Sequence, residues 1–135
     1  MRIMRVVLDT NVVISAFLSP FGKPAFILYS VLAQYYDIYV NTAVISEYEQ
    51  VLLRSKFIGK VGQTEIRRFF DFICDYGIYV CCPPSKVILQ DESDRVFYDI
   101  AKASSASLIT GNKKHFPNES FIFTPAEFLD NLHIP

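Results

Sequence analysis

Three acidic residues occupy positions from which an α/β fold could present their carboxylates together. Asp9 ends the apolar run 6–8, Glu47 lies within the first two turns of a predicted helix, and Asp94 begins another predicted helix. Strand ends and helix starts can share one rim of a parallel sheet, where open α/β sheets bind ligands. Two carboxylates about 4 Å apart repel by about 4 kcal/mol at an effective dielectric of about 20, so such a cluster needs a cation or must take up protons. An oxygen-only site with no His or Cys nearby suits Mg²⁺ or Mn²⁺ better than zinc.

Each acid also has an ordinary structural interpretation. Asp, Thr and Asn, which follow one another in Asp9-Thr10-Asn11, are common N-cap residues. Carboxylates near a helix start are also favoured by the helix macrodipole. A single acid therefore identifies nothing, and the prediction of a site depends on all three carboxylates converging.

The chain alternates between strand and helix patterns from end to end. The predicted strands are 3–8, 36–40, 78–81, 107–110 and 121–123, and the predicted helices are 11–18, 24–33, 43–54, 64–76, 94–104 and 125–129. Gly77 is a natural C′ residue to end the fourth of these helices. This alternation predicts an α/β fold with a mostly parallel central sheet and helices on both faces, a three-layer α/β/α sandwich.

Composition limits the class of protein. The 135 residues have the size of one domain, which we expect to span 1–135. Hydrophobic residues make up 51% and charged residues 20%, which argues against disorder and favours a well-covered core or a buried subunit interface, and we expect a homodimer. A formal charge of −1 excludes a basic protein that coats nucleic acid.

Location and cysteine chemistry follow from the same composition. No apolar run approaches the length of a membrane span, and residues 1–5 lead into a strand instead of a signal-peptide core, so we expect a cytoplasmic protein. The three cysteines form no CxxC pair and have no His at ligand spacing, which argues against a zinc site.

The motifs around the three acids resemble those of a known family. They are Asp9-Thr10-Asn11, Ser46-Glu47-Tyr48, Asp94-Arg95-Val96-Phe97, Ile109-Thr110-Gly111-Asn112 and the closing segment 123–129. In this order and spacing they resemble the successive motifs of the PIN domain over essentially the whole chain. The resemblance implies an α/β/α sandwich nuclease that cuts RNA with Mg²⁺ or Mn²⁺, often as the toxin of a toxin–antitoxin pair, so that RNA and a cognate antitoxin protein are the implied partners.

The resemblance also implies roles for individual residues. It implies that Asp9, Glu47 and Asp94 are the catalytic acids and metal ligands, and that Asn11 and Thr110 are polar supports that hold the acids and the metal in place. These roles amount to metal-assisted hydrolysis of a phosphodiester, in which the cation orients the phosphate and lowers the pKa of a bound water.

The sequence departs from the family pattern at one position. The fourth acid of the family falls at Asn112, whose amide oxygen can still bind Mg²⁺ but adds no negative charge. We therefore expect weaker metal binding, and a second metal is in doubt. Asp99 lies about 140° around the helix from Asp94 and is a weaker candidate to compensate.

A negatively charged rim that accepts RNA needs cations beside it. The candidates lie in loops or helix starts on the same side as the acids, and they are Lys23, Arg95, Lys113 and Lys114. Such residues could neutralise a few phosphates and make binding sensitive to salt. Scattered cations on a protein of this net charge are also common as solubility residues.

Two other functions remain open from the sequence. The first is a non-catalytic or weakly active PIN-like module that binds RNA or protein, with Asn112 marking a weakened site. The second is a doubly wound phosphotransfer or phosphatase domain with Asp9 as the nucleophile. Such domains usually have a second acid two residues further on, where this chain has Asn11.

Overall fold

Strands and helices alternate along residues 4–132, which the computed structural model describes; the predicted strand start at Ile3 lies outside them. The strands are β1 (Met4–Leu8), β2 (Tyr36–Val40), β3 (Ile78–Tyr79), β4 (Ser107–Ile109) and β5 (Ile122–Phe123). The helices are α1 (Thr10–Leu18), α2 (Lys23–Leu32), α3 (Thr42–Leu52), α4 (Ser55–Val61), α5 (Gln63–Tyr76), α6 (Arg95–Ser104) and α7 (Pro125–Asn131). Single 3₁₀ turns cover Glu92–Asp94 and Lys113–His115.

The five strands form one sheet in the order β3-β2-β1-β4-β5, and every neighbouring pair is parallel. The chain moves from β1 outwards to β2 and β3, and α6 then carries it back across to β4 on the other side of β1. The connections after β1 and β4 therefore leave in opposite directions and open a crevice between them. This is the topological switch point at which open α/β sheets bind ligands.

The core is built around β1. Val6, Val7 and Leu8 are fully buried, because a central parallel strand is covered on both faces. α6 packs against β1, β2 and β4, while α2 packs against β2 and α7. The predicted three-layer α/β/α sandwich is confirmed, and its sheet is parallel throughout.

Element boundaries differ from the predicted ones by one or two residues, as is usual at frayed ends. The larger difference is α4, since the sequence pattern predicts no element over 55–61. The helix is short, and Gly59 lowers its intrinsic helix propensity. Phe57 is buried with its ring centroid 6.2 Å from that of Phe17 on α1. Tertiary packing, which a local pattern does not contain, therefore stabilises α4.

Within residues 4–132, no single helix is both long and apolar enough to cross a bilayer. α1 and α2 reach the necessary length and composition only when taken as a pair, and the chain bends by 101° between them.

Gly77 ends α5, but for a different reason from the usual C′ glycine. Its φ of −63° and ψ of 140° are open to any residue, so left-handed backbone is not the requirement. The requirement is space, because a Cβ atom here would lie 2.6 Å from the carbonyl oxygen of Ile73 and 3.1 Å from Cγ2 of Val40. The absence of a side chain at Gly77 thus lets the chain turn closely past the last turn of α5, with the Val40 side chain of β2 as the next neighbour.

We predict that Gly77→Ala lowers the free energy of unfolding by about 1–3 kcal/mol, because the added methyl group must displace backbone. Urea unfolding followed by circular dichroism measures this change. The matched control is Gly59→Ala, where no atom of the described residues lies within 4 Å of the new methyl group. In an exposed helix this control should be neutral or stabilising by up to about 1 kcal/mol. Equal stability of the two variants would contradict the steric explanation.

Candidate active site

Asp9 lies at the switch point between β1 and β4. Its backbone N–H donates to the carbonyl of Ile109 at 3.0 Å, so strand pairing with β4 continues through this residue. The side chain is only 6% exposed, and its Oδ2 accepts a hydrogen bond of 2.7 Å from Oγ1 of Thr110. Asp9 occupies the N-cap position of α1, yet its side chain makes no capping hydrogen bond to the described part of the chain. The hydrogen bond from Thr110 is therefore the contact that orients this carboxylate.

The turn after β4 is tied to the start of α1. Oγ1 of Thr110 accepts a hydrogen bond of 3.0 Å from the backbone of Asn112 while it donates to Asp9. Oδ1 of Asn11 accepts from the backbone N–H of Gly111 at 3.2 Å. Asn11 and Thr110 thus join the two connections that leave the switch point, which is the geometry expected of supporting residues.

Asp94 lies within reach of the charges of Asp9 and Glu47, the other two predicted acids. Glu47 on α3 and Asp94 at the start of α6 are both half-buried. Burial, followed by the negative charges of Asp9, Asp91 and Glu47, raises the pKa of Asp94 to about 6. Burial also raises the pKa of Asp9, although the Thr110 hydroxyl and the nearby backbone N–H groups oppose this shift. We define the acidic rim as Asp94 together with the three carboxylates whose charges act on it, Asp9, Glu47 and Asp91.

The acidic rim is not arranged as a closed ligand shell. Among the residues that the structure describes, no group of three or more His, Cys, Asp or Glu side chains is placed to hold one metal ion. The donor chemistry nevertheless fits a hard cation, because the rim offers carboxylate oxygens and two of its members carry raised pKa values. Asp9, Asp94 and Glu47 are the residues that could hold Mg²⁺ or Mn²⁺ here.

Sequence reasoning missed His115 as part of this site. The residue is half-buried in the 3₁₀ turn Lys113–His115, which follows Asn112. A charge interaction with His115 lowers the pKa of Asp9, Asp91 and Asp94. The signal in the sequence is its position six residues after β4 ends at Ile109, in the connection that borders the switch point.

Tyr48 is the second residue that sequence reasoning missed. Its side chain is fully buried, and its hydroxyl donates to the carbonyl of Leu8 at 2.6 Å. Burial and the charge of Asp9 raise the pKa of Tyr48, so the phenol stays neutral and acts as a donor. The apolar pattern of α3 shows only that Tyr48 is a core residue, since the target of its hydroxyl comes from a distant strand.

The structure corrects the prediction that Arg95 binds nucleic acid. Its guanidinium donates to the Glu92 carboxylate at 2.7 and 2.9 Å, to the Ser85 carbonyl at 2.8 Å and to the Val87 carbonyl at 2.6 Å. The side chain is only 18% exposed. Arg95 therefore fastens the irregular segment between β3 and α6 and does not present a free cation to a phosphate.

Asp99 also contacts this irregular segment. It is 9% exposed, and its Oδ2 accepts from the backbone N–H of Ser85 at 3.1 Å. Its buried Oδ1 has no hydrogen-bond partner among residues 4–132. The predicted compensation for Asn112 by Asp99 is therefore corrected, because this carboxylate holds the segment at Ser85 and is not part of the acidic rim.

The three predicted lysines have different surroundings. Nζ of Lys113 lies 3.0 Å from Oε1 of Glu127, so Lys113 forms an ion pair with this carboxylate. Lys23 begins α2 and lines an apolar cavity of about 540 Å³ with Phe21 and Phe26. Lys114 is exposed between Asn112 and the half-buried His115, which places it in the connection that borders the switch point.

Asn112 is exposed and lines a cavity of about 260 Å³ beside the switch point. The remaining lining comes from α1, the turn after β4 and the first turns of α2 and α7, namely Asn11, Val12, Ser15, Pro24, Gly111 and Pro125. A larger apolar cavity of about 590 Å³ lies between α1, α2, α4 and α5, and none of the predicted acids lines it. None of the three predicted acids lines the small cavity either, and the cavity adjoins the predicted site through Asn11 and Asn112.

We predict that Asp94 makes the free energy of unfolding fall as the pH rises from about 4 to about 6. The folded protein holds this proton more tightly than the unfolded chain, whose pKa is near 3.8, so the stabilisation is complete below that value and is lost through the folded pKa of about 6. Asp94→Asn should remove this dependence and be more stable relative to the parent protein at pH 7 than at pH 4.

Urea unfolding in the presence of a chelator at several pH values measures this difference. The matched control is Asp71→Asn, which changes an exposed carboxylate on α5. A constant difference between Asp94→Asn and the parent protein at all pH values would refute the electrostatic coupling of the rim.

Comparison with known proteins agrees with this architecture. A family model of the PIN domain matches residues 5–114, a range that runs from β1 through the turn after β4 and includes the whole acidic rim. An uncharacterized protein of Methanocaldococcus jannaschii is 28% identical over 111 residues, which are 82% of this chain and 72% of that protein. Since the family model covers most of the chain, the chain belongs to the PIN domain family.

Proposed function

We propose that the protein is a metal-dependent ribonuclease that hydrolyses RNA phosphodiester bonds with Mg²⁺ or Mn²⁺. PIN domains are in general nucleases and typically use divalent metals, which supports a hydrolase of this kind. The observation that carries the proposal is the buried Asp9 carboxylate, which Thr110 orients at the switch point and which acts electrostatically on Asp94. A buried carboxylate that acts on a neighbouring acid in a crevice marks a candidate functional site.

In this proposal each residue of the site has its own role. Asp9, Asp94 and Glu47 hold the cation, which when bound would polarise the phosphate and activate water. Thr110 keeps the Asp9 carboxylate turned into the crevice, and Asn11 keeps the adjacent turn in place. No Ser, Cys or His nucleophile is needed for hydrolysis of this kind.

The approach of RNA to the acidic rim must overcome repulsion between carboxylates and phosphates. His115 lies within reach of the charge of Asp94, and the exposed Lys114 precedes it in the same turn. These two residues are our candidates for contacts to the RNA backbone, and such contacts would weaken as the salt concentration increases.

A second candidate function is a weakly active or non-catalytic module that binds RNA or protein. Two observations favour it: Asn112 replaces an acid of the family pattern, and the described residues hold no complete set of three ligands. A phosphotransfer enzyme with Asp9 as nucleophile gains no comparable support, because Asn11 stands at the position of the second acid and its Oδ1 already accepts from the Gly111 N–H.

We further propose that the protein is the toxin of a cytoplasmic toxin–antitoxin pair and that it forms a homodimer. Large exposed apolar side chains on and between α1 and α2 support a contact with another chain, and they include Leu18, Phe21, Phe26 and Tyr29. Such a patch is typical of an interaction surface. Unpaired cysteines Cys74, Cys81 and Cys82 are compatible with a reducing compartment.

The central test is Asp9→Asn. We expect Mn²⁺ to raise the melting temperature of the parent protein but not that of the variant, and we expect RNA cleavage to fall by about a hundredfold or more, because a charged metal ligand is lost. The variant should fold, because burial already disfavours the charge that it removes. Differential scanning fluorimetry and single-turnover cleavage measure the two effects.

The matched control is Asp75→Asn, which changes an exposed carboxylate on α5 and should leave both measurements unchanged. Undiminished cleavage by a clean preparation of Asp9→Asn would overturn the proposed mechanism. Mn²⁺ binding without cleavage by the parent protein would favour the non-catalytic module.

Asn112→Asp tests the position at which the chain departs from the family. The new carboxylate adds one negative charge beside the crevice, and we expect Mn²⁺ to bind about fivefold more tightly, an effect of about 1 kcal/mol at high dielectric. Isothermal titration calorimetry on the parent protein and the variant gives the comparison. Unchanged or weaker binding would show that residue 112 does not face the ion.

A further inference from the structure

Tyr48 lies on one of the three elements that carry the predicted metal ligands and contacts the other two. It follows Glu47 directly on α3, its hydroxyl reaches the carbonyl of Leu8 next to Asp9, and its ring packs near Phe97, three residues after Asp94 on α6. We propose that Tyr48 is a positioning residue that sets the Asp9 carboxylate against Glu47 and Asp94. This inference rests on the proposed function of the acidic rim as a metal site.

The peptide group between Leu8 and Asp9 is hydrogen-bonded at both ends. Its carbonyl accepts from the Tyr48 hydroxyl at 2.6 Å, and its N–H donates to the Ile109 carbonyl at 3.0 Å. Because the peptide group is planar, hydrogen bonds at both of its ends fix the direction in which the chain enters Asp9. The Thr110 hydroxyl then fixes the Asp9 side chain itself.

The Tyr48 ring packs between aromatic side chains of two other helices. The ring is fully buried, with its centroid 5.6 Å from that of Phe69 on α5 and 6.2 Å from that of Phe97 on α6. An aromatic ring that packs against other rings on two sides has little freedom to move, so the position of its hydroxyl is fixed. There the hydroxyl donates to the carbonyl next to Asp9.

Tyr48 carries a polar hydroxyl group into the core. A phenylalanine would fill the same space without the cost of burying a hydroxyl, and a buried hydroxyl is tolerated when it makes a hydrogen bond. The hydroxyl of Tyr48 spans 40 residues of sequence to the strand end that carries Asp9. The ring alone can account for packing, while the hydroxyl connects the acid-bearing ends of α3 and β1.

Tyr98 provides a matched control within the same core. It is also buried, at 2% exposed, and its hydroxyl donates to the Glu119 carboxylate instead of to the switch point. Its ring lies beside Phe121 at a centroid distance of 5.6 Å. Tyr→Phe at either position keeps the ring and removes one hydroxyl from the core.

The test compares Tyr48→Phe with Tyr98→Phe by calorimetric titration with Mn²⁺. We expect Tyr48→Phe to bind Mn²⁺ about tenfold more weakly than the parent protein, as is typical when a partner of a metal ligand is lost, and Tyr98→Phe to bind within about twofold of it. Urea unfolding of both variants reports the loss of stability separately. Equal weakening in the two variants, or unchanged binding in Tyr48→Phe, would overturn the proposal.

Crystal structures of both variants separate this inference from the proposed function. We expect the Asp9 carboxylate to shift away from Thr110 in Tyr48→Phe and to keep its place in Tyr98→Phe. An unmoved Asp9 in Tyr48→Phe would refute the positioning role whatever the metal affinity. If the parent protein binds no Mn²⁺, the metal site is refuted, and the crystal structures still decide whether Tyr48 positions Asp9.

Discussion

The hydrogen bond from Thr110 to Asp9 is the interaction on which the rest of the site depends. It joins residues 101 positions apart in sequence, and it forms because β4 lies directly beside β1 with Leu8 opposite Ile109. A slip of one residue in this register would turn the Thr110 side chain to the other face of the sheet. The orientation of one buried carboxylate is thus a consequence of strand order and register, and the helices serve to hold that register.

The surroundings of the acidic rim disfavour the charged forms of two of its carboxylates. Burial and like charge both favour the neutral form of Asp94, and burial does the same for Asp9. A fold selected for stability alone would not gather these carboxylates, because removing any of them relieves repulsion. His115 and the Thr110 hydroxyl oppose the shifts only in part. The remaining imbalance is what a bound cation would offset, and it explains why the rim fits the chemistry of a metal-dependent nuclease.

Charged residues near the rim also serve the fold. Arg95 directly follows Asp94, but its donors satisfy backbone carbonyls of the irregular segment between β3 and α6, while Asp99 accepts from the same segment. Irregular backbone that is partly buried needs such side-chain partners. The five donors of a guanidinium are well suited to this task, and they connect the irregular segment to the start of α6. The position of Asp94 therefore depends on a neighbour that performs no chemistry.

The sequence alone determined the order of strands and helices, the parallel character of the sheet and the three acids at its predicted rim, because hydrophobic period and strand ends are local properties. Only the tertiary structure assigned Arg95 and Asp99 to the irregular segment and brought His115 and Tyr48 to the site. It also stabilised α4 through the contact of Phe57 with Phe17. Each of these assignments depends on a contact or a charge interaction with a residue from another part of the chain. A local pattern of residue types predicts that a side chain is polar or buried, whereas its partner is decided by which elements the fold places side by side.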